Sequence, residues 1–311
     1  MTVDARYRLV AADGWRVWST APWVAFVRPV VSVAEARDGW EHRSKHGRTR
    51  RLGAGLPGPA FLKSYRRYRW RDALKDLVRP VMAERAAMAS VALEVQGFPV
   101  APVVMIGIRR RLGVVQGAFV VSEDVRAPDA REFLETLTGR SVVGGRRGVL
   151  RALGAHVGRL HEAGFDHGDL VPSNVRVQGD VSAPRFVLID NDRTRQRRRP
   201  VSVRQARRNL VQLNRFVVRG VTGTDRWRVL DAYCRVRGIE RAGRRRLGVA
   251  VMRKTVERRR QFDGIVDAER MSFGALMRLE GLRSSGTAGS GGPAAEGPRA
   301  VSRMGSGGGG Q

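Results

Sequence analysis

Cysteine is almost absent from this chain. Cys234 is the only one in 311 residues, so no disulfide can close within the chain and a reducing compartment is the expectation. Long apolar runs are missing too. The longest candidates, residues 17–27 and 98–108, contain Pro and fall short of the ~20 residues that cross a bilayer. Asp4 and Asp13 lie near the start and Arg28-Pro29 interrupts the next apolar stretch, so a cleaved signal peptide is not expected. These features point to a cytoplasmic protein able to rest peripherally on the inner face of the cytoplasmic membrane. No internal repeat is visible. Negative charge is scarce: 29 acidic residues face 58 basic ones, a net charge of +29.

Lysine is scarce as well. Of the basic residues only Lys45, Lys63, Lys75 and Lys254 are Lys, and the rest are Arg. One cause is a genome that writes Arg wherever a cation will serve. Another is attraction to phosphate, in a nucleotide, a nucleic acid or an anionic membrane face. In either case each surviving Lys is informative. Its ammonium is a compact point charge that the broad Arg fork does not replace at a tight phosphate site.

What is present reads as a two-lobed protein. The apolar share, 42%, is normal for a packed globular chain, and the length suits one large domain or two lobes around a cleft. Residues 1–40 carry Trp15, Trp18, Trp23 and Trp40 and read as an extension packed on the first lobe, with a short helix at 33–38. Residues 41–125 read as the first lobe, 126–283 as the second and 284–311 as a disordered tail. The tail, rich in Gly, Ser, Ala and Pro, cannot bury enough apolar surface to offset chain entropy.

Within the first lobe, Gly47, Gly53, Gly55 and Gly58 separate short strands. The G-x-G-x-x-G match at 53–58 is a decoy, because Pro57 and Pro59 stand where a dinucleotide site needs a helix. Residues 56–59 read instead as the turn before the strand 60–63. A loop covering phosphates is expected earlier, at 44–49, with Gly47 as its flexible point. Helices are expected at 70–78 and 81–96, and strands at 99–109 and 117–121. Ser122-Glu123-Asp124-Val125 is the expected hinge, where backbone groups around Glu123 could meet an adenine edge. Asp129 followed by Glu132 reads as a capping box for a helix at 129–137. Residues 139–148 read as a linker and 149–164 as a helix with Leu150, Leu153, Val157, Leu160 and His161 on one face. Further helices are expected around 204–219, 225–236, 242–261 and 267–282.

The chemistry concentrates at 160–193. His167-Gly168-Asp169-Leu170 is followed by Asn174, and the apolar run 186–189 ends in Asp190. Asp-x4-Asn is the spacing of a kinase catalytic loop: the Asp accepts the acceptor hydroxyl's proton and the Asn holds a Mg²⁺. A strand-end Asp would hold the metal that bridges the phosphates. Upstream, Lys63 closes a strand, as a phosphate-contacting Lys does. Glu84, on the following helix, is the expected partner that orients it. The fold class implied is α+β: a two-lobed protein-kinase-like fold with a small antiparallel sheet lobe plus one helix and a larger, mainly helical lobe.

The chain more specifically resembles the lipopolysaccharide core kinases of the Kdo/WaaP type. The resemblance rests on Phe61-Leu62-Lys63, Ala83-Glu84-Arg85, Leu160-His161-Glu162-Ala163-Gly164, His167-Gly168-Asp169 and Leu188-Ile189-Asp190-Asn191-Asp192-Arg193. Arg207-Arg208-Asn209-Leu210 resembles a downstream helix of that family. It covers roughly residues 45–215 and implies ATP-dependent phosphorylation of a Kdo or heptose hydroxyl on the cytosolic side of the membrane. It makes Asp169 the catalytic base, Asn174 and Asp190 the Mg²⁺ ligands, Lys63 the phosphate contact and Glu84 its partner. ATP and Mg²⁺ are the implied cofactors. The implied partners are a sugar or glycolipid acceptor and an anionic membrane surface met by the Arg-rich face; no specific nucleic acid is expected.

Departures from protein kinases sharpen this. Gly168 stands where an Arg would read a phosphorylated activation loop, and no Ala-Pro-Glu follows Asp190. An atypical protein kinase, a small-molecule phosphotransferase and a basic binding protein with an abandoned site remain as alternatives. Asp192 reads as a further metal or structural carboxylate.

Overall fold

The first lobe is built on alternation. Strand β2 (Trp15–Thr20) buries Trp15, Val17 and Ser19 and turns Arg16 outward, the period-two pattern of a strand with one face in a core. The structure, a computed structural model, describes residues 5–43, 47–65, 79–137, 145–215, 218 and 220–262. Around β2 stand β1 (Tyr7–Ala12), β3 (His42–Arg43), β4 (Gly47–Leu52), β5 (Ala60–Tyr65), β6 (Val103–Arg111) and β7 (Val114–Glu123). They form one antiparallel sheet in the order β1-β2-β6-β7-β5-β4-β3.

Both faces of this sheet are covered. Helix α1 (Val27–Glu35) and the 3-10 turn before it bring Trp23, Val27, Val30 and Val31 onto Leu62, Met105, Phe119 and Val121. Helix α2 (Met82–Val95) packs Ala83 and Ala87 on the opposite face, against Ile106, Ile108 and Val120. The neighbours Met105 and Ile106 therefore serve different cores, as do Val120 and Val121. The expectation of an extension over 1–40 is corrected here: residues 7–20 are two strands of the sheet itself. The lobe accordingly carries two helices among the described residues, not one. The tryptophans explain the integration. Trp15 Nε1 donates to Glu35 at 3.0 Å and Trp40 Nε1 to the Ala36 carbonyl at 2.9 Å, so the buried Trp15 ring and the half-buried Trp40 ring each have their N–H satisfied.

The second lobe is mainly helical: α3 (Ala130–Thr136), α4 (Gly145–Glu162), α5 (Val203–Arg215), α6 (Gly223–Val236) and α7 (Arg241–Phe262). The Asp129 carboxylate accepts from the N–H groups of Arg131 and Glu132, and Glu132 accepts from the Asp129 N–H, each at 2.9 Å. This is the capping box the sequence predicts. Helix α4 buries Leu150, Leu153, Val157 and Leu160. It crosses α6 at Gly154, where a Cβ would lie 2.1 Å from the Val229 carbonyl oxygen, so the glycine sets the helix spacing. α4 starts at Gly145, taking the end of the expected linker into the helix.

Short strands carry the chain through the site. β8 (Phe165–Asp166) pairs with β11 (Arg195–Gln196), and β9 (Val175–Gln178) with β10 (Arg185–Leu188), both antiparallel. The helices expected at 70–78 and 267–282, and the tail from 284, lie outside the described residues.

Candidate active site

Strand β5 buries Leu62 in the sheet, and alternation turns its neighbour Lys63 into the cleft between the lobes. The cleft has a volume of about 500 Å³ and is lined by Lys63, Tyr65, Glu123, Asn174 and Asp190 among others. Asp190 reaches it by a sharp turn. Strand β10 ends at Leu188, Ile189 N–H donates to the Asn174 carbonyl at 3.0 Å, and Asp190 adopts φ 58°, ψ 53°. That left-handed conformation is one Asp tolerates better than most residues. It reverses the chain and brings the carboxylate onto Lys63 Nζ.

The following 3-10 turn, Asn191–Arg193, sends its side chains to different places. Asn191 Nδ2 donates to Ser90 Oγ of α2 at 3.1 Å. Asp192 Oδ2 accepts from Lys63 Nζ at 2.9 Å. The Asp192 side chain is 5% exposed and that of Asp190 33%, so Asp190 meets solvent and Asp192 is sealed beneath it. Burial pulls the Lys63 pKa down, but Asp190 and Asp192 outweigh it and the net shift is upward. Lys63 therefore stays an ammonium. Burial, together with the charge of Asp190, pushes the Asp192 carboxyl above the usual range against the pull of Lys63. Two carboxylates against one ammonium leave the cluster short of positive charge, which favours a cation beside the exposed Asp190.

Asn174 forms the adjacent wall. Its Nδ2 donates to the Asp169 carbonyl at 2.9 Å, which fixes the amide and leaves Oδ1 as its free oxygen. Asp190 and Asn174 thus present hard oxygen donors to one cleft. Among the described residues no cluster of three or more His, Cys, Asp or Glu could hold a metal. Two protein donors suit Mg²⁺, which binds through one or two protein oxygens plus phosphates and water.

Asp169 sits partly exposed, and helix α5 braces its loop. Gln212 Nε2 donates to the Gly168 carbonyl at 3.0 Å and lies 3.5 Å from Asp169 Oδ1, and Arg208 donates to the same carbonyl at 3.1 Å. Asn209, fully buried, donates to Asp166 Oδ1 at 2.9 Å and accepts from the His167 N–H at 3.2 Å. His167 Nε2 faces the Ile189 carbonyl at 3.2 Å. Burial holds the His167 pKa down despite Asp190 and Asp169, so the ring is neutral and donates there. Sequence reasoning marked 207–210 as a helix and missed this bracing role. The signal available was three polar residues, 208, 209 and 212, at helical spacing on one side of an otherwise apolar stripe.

Lys63, Asn174, Asp190 and Glu123 all line the cleft; Asp169 is not among the lining residues and is tied to them through Asn174, whose amide donates to its carbonyl. Two expectations fail. Glu84 does not pair with Lys63. It lies in the first turn of α2, where its carboxylate accepts from the Val81 N–H at 2.8 Å, one of the N–H groups at a helix start that find no partner within the helix. Gly47 is not a loop hinge. It is the first residue of β4, opposite Tyr65, and a Cβ there would lie 2.7 Å from the Ser64 carbonyl oxygen. Close strand approach demands the glycine; residues 44–46 lie outside the described residues. At the hinge, the Glu123 and Asp124 N–H groups donate to the Pro102 and Pro59 carbonyls at 2.9 and 2.8 Å, so protein already satisfies them.

Comparison with known proteins agrees with this geometry. The model of the lipopolysaccharide kinase (Kdo/WaaP) family matches residues 41–233, a span that contains Lys63, Asp169, Asn174 and Asp190. The solved structure "WaaP in complex with acyl carrier protein" matches at a TM-score of 0.57 and 23% identity, covering 80% of this chain and 98% of that one. At that identity the likeness shows the fold, which is kinase-like. No curated protein matches.

Proposed function

The chain belongs to the lipopolysaccharide kinase (Kdo/WaaP) family and is a kinase, and we propose that it transfers the γ-phosphoryl group of ATP to a Kdo or heptose hydroxyl of a lipopolysaccharide core. The observation that carries the assignment is the Lys63–Asp190 ion pair across the cleft, with Asn174 in the same wall. A cation and an exposed carboxylate so placed can receive nucleotide phosphates and their metal.

In this reading Lys63 binds the phosphates, and Asp190 and Asn174 would hold Mg²⁺. The metal would supply charge neutralisation on the phosphates. Asp169 orients the acceptor hydroxyl and takes its proton as the acceptor oxygen bonds to the γ-phosphorus. The bond from that phosphorus to the bridging oxygen breaks, and ADP keeps the electron pair. Little covalent work falls to the protein, whose task is positioning and electrostatics. Arg208, Asn209 and Gln212 contribute by fixing the loop that carries Asp169.

The acceptor side is basic. Arg193, Arg195, Arg197, Arg198 and Arg199 are all exposed, and β11 ties this run to β8 just before the catalytic loop. It is well placed to meet an acidic glycolipid at the inner face of the membrane. Among the described residues no helix is long and apolar enough to cross a membrane, so contact by charge is the proposed mode. The test is transfer of labelled phosphate from ATP and Mg²⁺ to core glycolipid, with the modified hydroxyl mapped by mass spectrometry. Transfer to a protein or a small molecule in place of the sugar would reject this acceptor assignment.

A further inference from the structure

We propose that Asp192, rather than the helix residue Glu84, is the carboxylate that orients Lys63 for the nucleotide, making it a positioning residue; this rests on the kinase reading above. Three carboxylates stand near enough in the fold to be considered, and two are committed elsewhere. Glu84 accepts from the Val81 N–H at 2.8 Å and makes neither a hydrogen bond nor an ion pair with Lys63, whose partners are Asp190 and Asp192. Asp190 does contact Lys63, but it is also the exposed oxygen donor of the cleft. Once a divalent cation and phosphates arrive, its charge is shared with the metal. A lysine held by Asp190 alone would lose its anchor at that moment.

Asp192 has neither conflict. Its Oδ2 lies 2.9 Å from Nζ, and its side chain is 5% exposed against 33% for Asp190. Its position is fixed by the turn that carries it. Thr194 N–H donates to the Asn191 carbonyl at 3.0 Å, and Asn191 is itself buried and bonded to Ser90 of α2 at 3.1 Å. An Asp at this place has one rotatable bond fewer than a Glu, so less side-chain freedom is lost in holding the ammonium. The lysine's anchor and the candidate metal donor Asp190 are thus two residues apart on one turn. The phosphate-binding cation is placed without any movement of α2, and the Ser90–Asn191 bond sets α2 against the same turn.

The test uses the full chain. Steady-state kinetics with ATP, Mg²⁺ and core glycolipid are measured for wild type, D192N, D192E and E84Q, with fluorescent-ATP binding and thermal midpoints alongside. D192N is expected to raise the ATP KM and weaken ATP binding about tenfold or more, as loss of a charge-assisted hydrogen bond would, with the acceptor KM unchanged. D192E is expected to recover part of that loss. E84Q is expected to keep wild-type ATP KM and to change only the thermal midpoint. A K63M/D192N double variant should bind ATP no more weakly than K63M, because Asp192 acts through Lys63. If D192N does not fold, D192E is read in its place by the same KM split. Wild-type ATP KM in the Asp192 variants, a raised ATP KM in E84Q, or multiplying losses in the double variant would overturn the assignment while leaving the kinase reading intact. Wild-type protein that binds no ATP would overturn both.

Discussion

A Cβ on Gly168 would lie 2.6 Å from the carbonyl oxygen of Arg193, and the backbone at 168 has φ +75°. Two constraints meet at one residue: a left-handed backbone, which costs other residues about 1–2 kcal/mol, and a contact too close for any side chain. The His-Gly-Asp sequence is therefore the condition for the loop that carries Asp169 to lie directly on the turn that carries Asp190 and Asp192. An Arg at 168 could not be accommodated.

Replacing Gly168 with Ala should cost about 1–3 kcal/mol through overpacking and backbone strain. It should also lower the rate of phosphoryl transfer by separating Asp169 from Asp190. Urea unfolding and single-turnover transfer check the two effects. Unchanged stability and rate would show that the loop and turn are not in contact.

Asn209 should behave as a structural brace. Asn209→Leu strips partners from the Asp166 carboxylate and the His167 N–H inside the lobe and should cost about 2–4 kcal/mol in urea unfolding. Asn209→Asp places a second carboxylate against Asp166. It should be destabilised at neutral pH and partly recover as the pH falls enough to protonate one of the pair.

Stability should fall on mild acidification. Burial holds both His156 and His161 down to about 4, whereas the unfolded chain protonates near 6.5. Because the folded values are depressed, the contribution is fully present above pH 6.5 and is lost as the pH falls towards 4. The slope is up to about 1.4 kcal/mol per pH unit for each ring. His156 sits between the rings of Phe98 and Phe186, at 5.8 and 5.4 Å, and its Nε2 has no partner. His156→Phe should keep that packing and flatten the acid limb, measured as urea midpoints at pH 7.5 and 5. An unaltered slope would place the acid sensitivity elsewhere.

Reversing charge at Arg195, Arg197 and Arg198 should raise the KM for an acidic glycolipid and leave the KM for ATP unchanged. The effect should shrink as salt screens the exposed guanidinium groups. An unchanged acceptor KM would remove this run from acceptor binding.

The legible parts of the molecule were those in which sequence-local physics decides the outcome. The capping box at Asp129 and Glu132, the apolar face of α4 and the strand ending before Asp190 all depend on neighbours in the chain. So does the turn at 56–59. The partner of Lys63 was not legible, because it depends on whether a Glu serves its own helix or a distant strand. Glu84 serves its helix. The seven-stranded sheet was obscured for a related reason: Trp15, Trp18 and Trp23 signalled burial without saying that β2 would pair with β6, some ninety residues on. Gly47 showed the same ambiguity, since a glycine needed for close strand packing and one needed for a flexible loop are identical in sequence.

The central claim is tested most directly by phosphoryl transfer from ATP to core glycolipid in wild type, D169N and D190A, with the folded state of each confirmed by its thermal midpoint. We expect wild type to place one phosphate on a Kdo or heptose hydroxyl and both variants to lose that activity by several orders of magnitude while remaining folded. Transfer at the wild-type rate in both variants would contradict the site.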